Sequence, residues 1–200
     1  MPGHYDRKDR FYLKAKADHY ASRAVYKLQE LDRQFHLFQK GKRVLDLGCA
    51  PGSWLQWISS RIGPTGLLIG VDLLPLHLPE HPNTEIIQGD FTDSAVSDAI
   101  TARFGNQPPQ VVVSDSAPNL SGILFADQER SLDLNTAVIA IARKLLPPGG
   151  KLVLKSFEGE RIPELKARLT PDFTAIKRLV PEATRKTSRE VYWIAQKKPA

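Results

Sequence analysis

The residue types best suited to binding chemistry stand together in Val44-Leu45-Asp46-Leu47-Gly48-Cys49-Ala50-Pro51-Gly52-Ser53-Trp54. An apolar run carries an acid, turns at two glycines and enters a segment with Trp54, Leu55 and Ile58 on one helical face. A strand feeding a helix through glycines lets a ligand lie against bare backbone, here at Gly48 and Gly52, and Pro51 suits a helix entry. The spacing is G-x-x-x-G rather than the G-x-G-x-x-G of dinucleotide sites. The alternative is a glycine-rich turn that binds nothing. Further chemistry follows other apolar runs. Asp72 ends Leu67–Asp72, twenty residues past Gly52, where an acid can accept hydrogen bonds from ribose hydroxyls. Asp90 and Phe91 follow Thr84–Gln88 and suit the exocyclic amine and ring of an adenine. Asp115 closes Val111–Asp115, and Lys155 lies in Lys151–Phe157.

These residues need a scaffold that brings strand ends together. The pattern predicts strands over 42–47, 67–72, 84–88, 111–115, 151–157, 173–180 and 190–196. Helices are expected from Ser22, as cap, to Phe35, and over 52–61, 94–104, 127–146 and 161–169. Strand–helix alternation implies an α/β, doubly wound architecture: seven strands, mostly parallel with one antiparallel strand from the last hairpin, and helices on both faces. Ligands in such sheets lie beyond the carboxyl ends of the strands, where Asp46, Asp72, Asp90, Asp115 and Lys155 all fall. Residues 1–20 interleave Arg7, Lys8, Arg10, Lys14 and Lys16 with Tyr5, Phe11, Tyr12 and Tyr20 at poor apolar periodicity, and read as a mobile arm. Arg23 and Lys27, four apart, share a helix face away from Val25, Leu28 and Leu31.

The chain of 200 residues fits a single domain, 1–200, able to bury its own core. Its one cysteine, Cys49, excludes an internal disulfide and fits a reducing compartment. No apolar run is long enough to span a membrane and residues 1–8 lack a signal-peptide core, so a cytoplasmic protein is expected. Net charge is +6 over residues 1–43 (11 Lys/Arg against 5 Asp/Glu), −6 over 44–150 (5 against 11) and +6 over 151–200 (12 against 6). The basic ends, including Arg185, Lys186 and Arg189, suit a phosphate backbone, or confer solubility only. His4, His19, His36, His77 and His81 show no metal-ligand spacing, so no metal is expected. Cys49 as a nucleophile is disfavoured by its place inside the turn, and Ser116-Ala117-Pro118-Asn119 lacks the Asn/Asp-Pro-Pro-Tyr of amino-group methyltransferases.

The glycine spacing, with an acid two residues before it, resembles motif I of S-adenosylmethionine-dependent methyltransferases. Nearly the whole chain, from Ser22-Arg23-Ala24-Val25-Tyr26-Lys27-Leu28 to Ser188-Arg189-Glu190-Val191-Tyr192, resembles the FtsJ/RrmJ (RlmE) family of ribosomal RNA ribose 2′-O-methyltransferases. Ser53 and Cys49 depart from the family's commoner choices without removing a donor or acceptor. The resemblance implies a Rossmann-like methyltransferase fold and a Lys-Asp-Lys-Glu tetrad at Lys27, Asp115, Lys155 and Glu190. It implies S-adenosylmethionine held by Asp46, Gly48, Pro51, Gly52, Trp54, Asp72, Asp90, Phe91 and Asp115. It also implies 23S rRNA in the large ribosomal subunit as substrate, a uridine of the A-loop as target, and a monomer with no obligatory protein partner. Lys155 is then the expected general base, acting only when neutral, with Asp115 and Glu190 orienting it and Lys27 near it or on the ribose or phosphate. The rival readings are methylation of tRNA or another RNA, and a non-catalytic RNA-binding assembly factor.

Overall fold

The computed structural model describes residues 9–76, 81–118, 122 and 124–199. Seven strands form one sheet in the order β3-β2-β1-β4-β5-β7-β6: β1 (Arg43–Leu47), β2 (Leu67–Asp72), β3 (Thr84–Gln88), β4 (Val111–Ser114), β5 (Lys151–Phe157), β6 (Phe173–Leu179) and β7 (Glu190–Lys197). β7 runs antiparallel to both neighbours, while β1 to β5 pair in parallel. The expected α/β sheet with one antiparallel strand is therefore found, and the order reverses beside β1, where such sheets open a crevice.

Alternation along each strand sorts the core into two layers. Leu45, Leu47, Val112, Leu152, Leu154, Val191 and Trp193 pack against α4 (Ser94–Phe104), α5 (Leu124–Leu145) and α6 (Ile162–Leu169). Val44, Val111, Val113, Val153, Tyr192 and Ile194 pack against α2 (Val25–Phe35) and α3 (Ser53–Ile62). By the same parity Asp46, Lys155 and Glu190 belong to the α2/α3 side. The chemistry-bearing residues thus share one face.

Three differences from the sequence reading exceed a single residue. α2 starts at Val25, with Ala24 rather than Ser22 as its cap; the Ser22 hydroxyl instead meets the Ser53 hydroxyl at 2.7 Å. α5 starts at Leu124, and Gly122 donates its N–H to Asp127 in that first turn at 3.0 Å. Residues 10–17, expected within a mobile arm, form helix α1 (Arg10–Ala17), capped by Asp9, whose carboxylate accepts from Tyr12 N–H at 3.0 Å. Ala15 is buried against Val25, Tyr26 and Ala183, with Phe11 and Tyr20 packed alongside. Of the aromatics read as arm residues, Phe11 and Tyr20 are thus core contacts, Tyr12 is exposed, and Tyr5 lies outside the described residues. Arg7 and Lys8 lie outside the described residues, as do His4, His77 and Asn119.

α2 carries Lys27 and is anchored at its far end by Asp32. The buried Asp32 carboxylate accepts from Leu37 and Phe38 N–H, both at 3.0 Å, and pairs with Arg61 at 3.1 Å. Asp32→Ala strands two buried donors and should lower the unfolding free energy by about 2–4 kcal/mol, with an unchanged denaturant slope in urea titration. A loss under about 0.5 kcal/mol, the size of an ordinary surface change, would show that the helix end is held otherwise.

Candidate active site

The carboxyl ends of β1 to β4 open onto a cleft of about 630 Å³, in the range of small-molecule sites. Gly48, Asp72, Asp90, Phe91 and Asp115 line it, with Leu73, Leu74 and Ser116 beside them and Arg130, Asp133 and Leu134 of α5 on the opposite wall. Asp72 is held in place: its two oxygens accept from Ala50 N–H at 2.8 Å and Leu74 N–H at 2.9 Å. One Asp90 oxygen accepts from the Thr92 N–H and hydroxyl at 2.8 and 2.7 Å. Gly48 has φ +78°, and a Cβ there would come within 2.4 Å of Ser116 Cβ. The glycine therefore lets the loop after β4 close onto the turn, as well as bordering the cleft.

Asp46, Pro51, Gly52 and Trp54, expected at the cofactor, do not line the cleft. Pro51 follows a cis peptide and precedes the helix cap Gly52, which has φ +101°, so it lies in the turn rather than in the first helical turn. Trp54 is buried as a strut: its indole N–H donates to Ala24 O at 3.0 Å, and its ring centroid lies 6.1 Å from that of Tyr192. Asp46 is fully buried beneath the turn, and neither carboxylate oxygen has a hydrogen-bond partner among the described residues. Burial first, then Asp115 and Asp72, push its carboxyl well above the usual range.

Beside the cleft, the four residues of the expected tetrad meet. Lys27 Nζ lies 2.6 Å from Glu190 Oε2, and Lys155 Nζ lies 3.9 Å from Glu190 Oε1 and 3.0 Å from Asp115 Oδ1. Lys155 also donates to the Asp115 backbone carbonyl. The result is a chain of alternating charge, Lys27–Glu190–Lys155–Asp115, with both lysine side chains less than 10% exposed. Among its members Asp115 alone lines the cleft. Burial pushes its carboxyl up, but Lys155, Lys27 and the Tyr192 hydroxyl outweigh that and hold it below the usual carboxylate range.

Sequence reasoning missed Tyr192. It pairs in register with Lys155 across β5 and β7, is wholly buried, and donates its hydroxyl to Asp115 Oδ1 at 2.6 Å. Burial, then Asp115 and Glu190, raise its phenol far above the usual range, so it stays a donor. The signal was the strand period, which puts Tyr192 on the face of Glu190 two residues before it. Also missed was the Ser114 hydroxyl, which donates to Leu47 O at 2.8 Å and meets the Ser116 hydroxyl at 2.7 Å, tying the loop that carries Asp115 to β1. The wall from α5 gave no motif signal. The Cys49 thiol is buried and shifted upward, first by burial and then by Asp46 and Asp72, which suits packing rather than nucleophilic attack. Among the described residues no group of His, Cys, Asp and Glu side chains could hold a metal ion. No described helix is long and apolar enough to cross a membrane.

The two basic ends of the chain meet. Asp9 pairs with Arg23 and with Arg185, the latter at 3.0 Å, and Arg10 pairs with Glu182 at 2.8 Å. Arg23 is thereby drawn into the interior rather than presented on a solvated face. α1 and the segment before β7 form a common rim near the tetrad, on which Lys186 and Arg189 are exposed.

A family profile described as FtsJ-like methyltransferase matches residues 20–198. A protein of Syntrophobacter fumaroxidans named ribosomal RNA large subunit methyltransferase E is 41% identical over 193 residues, covering 96% of this chain and 97% of its own. Among solved structures, the chain is similar to one from Plasmodium falciparum described as a ribosomal RNA methyltransferase, with 28% identity, a TM-score of 0.77, and 90% of this chain and 98% of that one covered. A fibrillarin from Aeropyrum pernix with natively bound S-adenosyl-L-methionine shares the fold at 18% identity and a TM-score of 0.58, over 86% of this chain and 75% of that one.

Burial raises the Asp46 carboxyl above its range in the unfolded chain, so this residue weakens the fold as pH rises through and above the ordinary carboxylate range. Asp46→Asn removes this dependence. The ligand-free variant should resist urea better than the parent at pH 7, and the gap should close as pH falls to about 4. Equal midpoints at pH 7 would mean that the carboxylate is satisfied.

Proposed function

The chain belongs to the FtsJ-like methyltransferase family, and on that premise we propose that it methylates a ribose 2′-hydroxyl of large-subunit ribosomal RNA in the cytoplasm, with S-adenosylmethionine as its methyl donor. The observation that carries this reading is the charge chain Lys27–Glu190–Lys155–Asp115 meeting the cleft at Asp115. By family resemblance the target is a uridine of the 23S A-loop in the assembled large subunit.

The residues present fit the donor. Asp72 and Asp90 bring carboxylates to the tips of β2 and β3, where ribose hydroxyls and an adenine amine need acceptors, and Phe91 and Leu74 offer apolar wall. Asp46 is a buried acid without a partner under the turn, available to a bound amino group or a bridging water. When bound, the cofactor supplies an electrophilic methyl. Everything else falls to this chain's side chains.

A ribose hydroxyl is a weak nucleophile, hardly ionised at neutral pH, so alignment and a proton acceptor must be provided. Alignment by itself contributes about 7–11 kcal/mol in well-oriented systems. Lys155, held beside the cleft wall by Asp115 and Glu190, is the proton acceptor in this reading. Asp115, held ionised and fixed by Tyr192, sets the Nζ position. Lys27, tied to Glu190, holds the ribose or its phosphate. Exposed cations on the rim, Lys186 and Arg189, meet the RNA backbone.

Asp72→Ala removes a half-buried acceptor worth about 1–3 kcal/mol and should weaken S-adenosylmethionine binding by roughly ten- to a hundredfold in calorimetry. Unchanged affinity would remove Asp72 from the site. Lys155→Ala should bind the cofactor and large subunits nearly as the parent does, yet transfer almost no methyl. Lys155→Arg should not rescue it, because a guanidinium keeps the charge but does not act as a base. Restored transfer with arginine would make Lys155 an electrostatic clamp.

A further inference from the structure

The face of α2 turned away from the sheet is not used by the cleft or the tetrad. Two concavities open along it: one of about 410 Å³ between α1, α2 and residues 182–183, the other of about 450 Å³ between α2 and α3. They share Gln29 and Arg33, so they form one groove. It begins at Tyr26, the neighbour of Lys27, and Arg33 lies about 10.5 Å further along the helix axis.

Its charges are unequal in kind. Arg10 is held by Glu182 at 2.8 Å and Arg61 by Asp32 at 3.1 Å. The remaining acid on the groove, Glu30, accepts from Glu182 N–H at 2.8 Å. Lys14 lies 4.7 Å from the centroid of the Tyr26 ring, and neither Lys14 nor Arg33 has a carboxylate within ion-pair distance among the described residues. Both are exposed. Two cations remain for a ligand, Lys14 over the Tyr26 ring and Arg33 further along, beside the Gln29 amide. That amide's nitrogen donates to the Tyr20 hydroxyl at 3.4 Å, and its oxygen faces no described donor.

We propose that this groove seats unpaired RNA adjacent to the target nucleotide, with phosphates on Lys14 and Arg33 and the Gln29 amide against a base edge. The proposal rests on the reading of the substrate as RNA, and adds which surface outside the catalytic edge engages it and in what form. A slot between helices admits a single strand, whose bases are free to be turned inward; a duplex keeps its base edges paired and its phosphates on a convex surface. Tyr26, where the groove begins, is the sequence neighbour of Lys27, so a strand leaving the tetrad edge has this groove next along α2.

The test titrates the full-length protein with a labelled single-stranded RNA oligonucleotide of mixed sequence, and with a duplex of the same length, across a series of salt concentrations. Each phosphate neutralised on a single strand contributes about 0.7 to the log–log salt slope. Lys14→Ala/Arg33→Ala should flatten the single-strand slope by about 1.4, while Lys144→Ala/Lys166→Ala, of equal charge on α5 and α6 across the sheet, should leave it as in the parent. S-adenosylmethionine affinity should match the parent in both variants. A parental slope in the groove variant, an equal loss in the control, or a change confined to the duplex would overturn the proposal. Methyl transfer to large subunits by the unaltered protein is measured separately. Its absence would remove the RNA reading itself, whereas its presence with a parental slope would remove the groove alone.

Discussion

Four charges withdrawn from water at one edge of the sheet hold one another in position. Taking an ion out of water costs several kcal/mol, recovered only where an opposite charge and hydrogen bonds meet it in good geometry. The chain Lys27–Glu190–Lys155–Asp115 meets that condition by alternation, and each member comes from a different element. Lys155 and Tyr192 face each other across β5 and β7, Asp115 leaves the end of β4, and Lys27 descends from α2. The register of an antiparallel pair and the docking of one helix therefore decide whether the charges pair or stand orphaned. This explains the support around them: Trp54 braces α3 against the start of α2, Asp32 fixes its end, and Ser114 ties the Asp115 loop to β1.

A second constraint lies at the turn after β1. Asp46 is buried with neither oxygen bonded among the described residues, which disfavours the fold, and such a group persists where function requires it. The neighbouring Asp72, by contrast, takes one backbone N–H on each oxygen, which fixes it at the cleft and leaves it further lone pairs. Gly48 belongs to the same economy of space, because the loop bearing Ser116 closes where its side chain would be.

Much of this was legible in the sequence, for physical reasons. Strand ends carrying Asp72, Asp90 and Asp115 announced the sheet edge, because short apolar runs bounded by turns fix strands well. The tetrad was reached through resemblance to a family, since no spacing connects Lys27 to Glu190 across 163 residues. Tyr192 escaped because a buried tyrosine on an apolar strand looks like core, and its hydroxyl contact is a matter of register. α1 escaped because its aromatics and cations suit both an arm and a small helix, and only packing on Tyr26 and Ala183 decides between them. Trp54 was placed at the cofactor by the same resemblance; its indole turns inward onto Ala24 instead.

The central claim concerns where the methyl goes, and one measurement addresses it directly. Large ribosomal subunits from cells lacking this protein are incubated with it and with S-adenosylmethionine carrying a labelled methyl, and the RNA is then digested to nucleosides. A charge chain built around a lysine at the cleft should leave the label on a 2′-O-methyl nucleoside, 2′-O-methyluridine in the first instance. Label on a base nitrogen or carbon would contradict that claim.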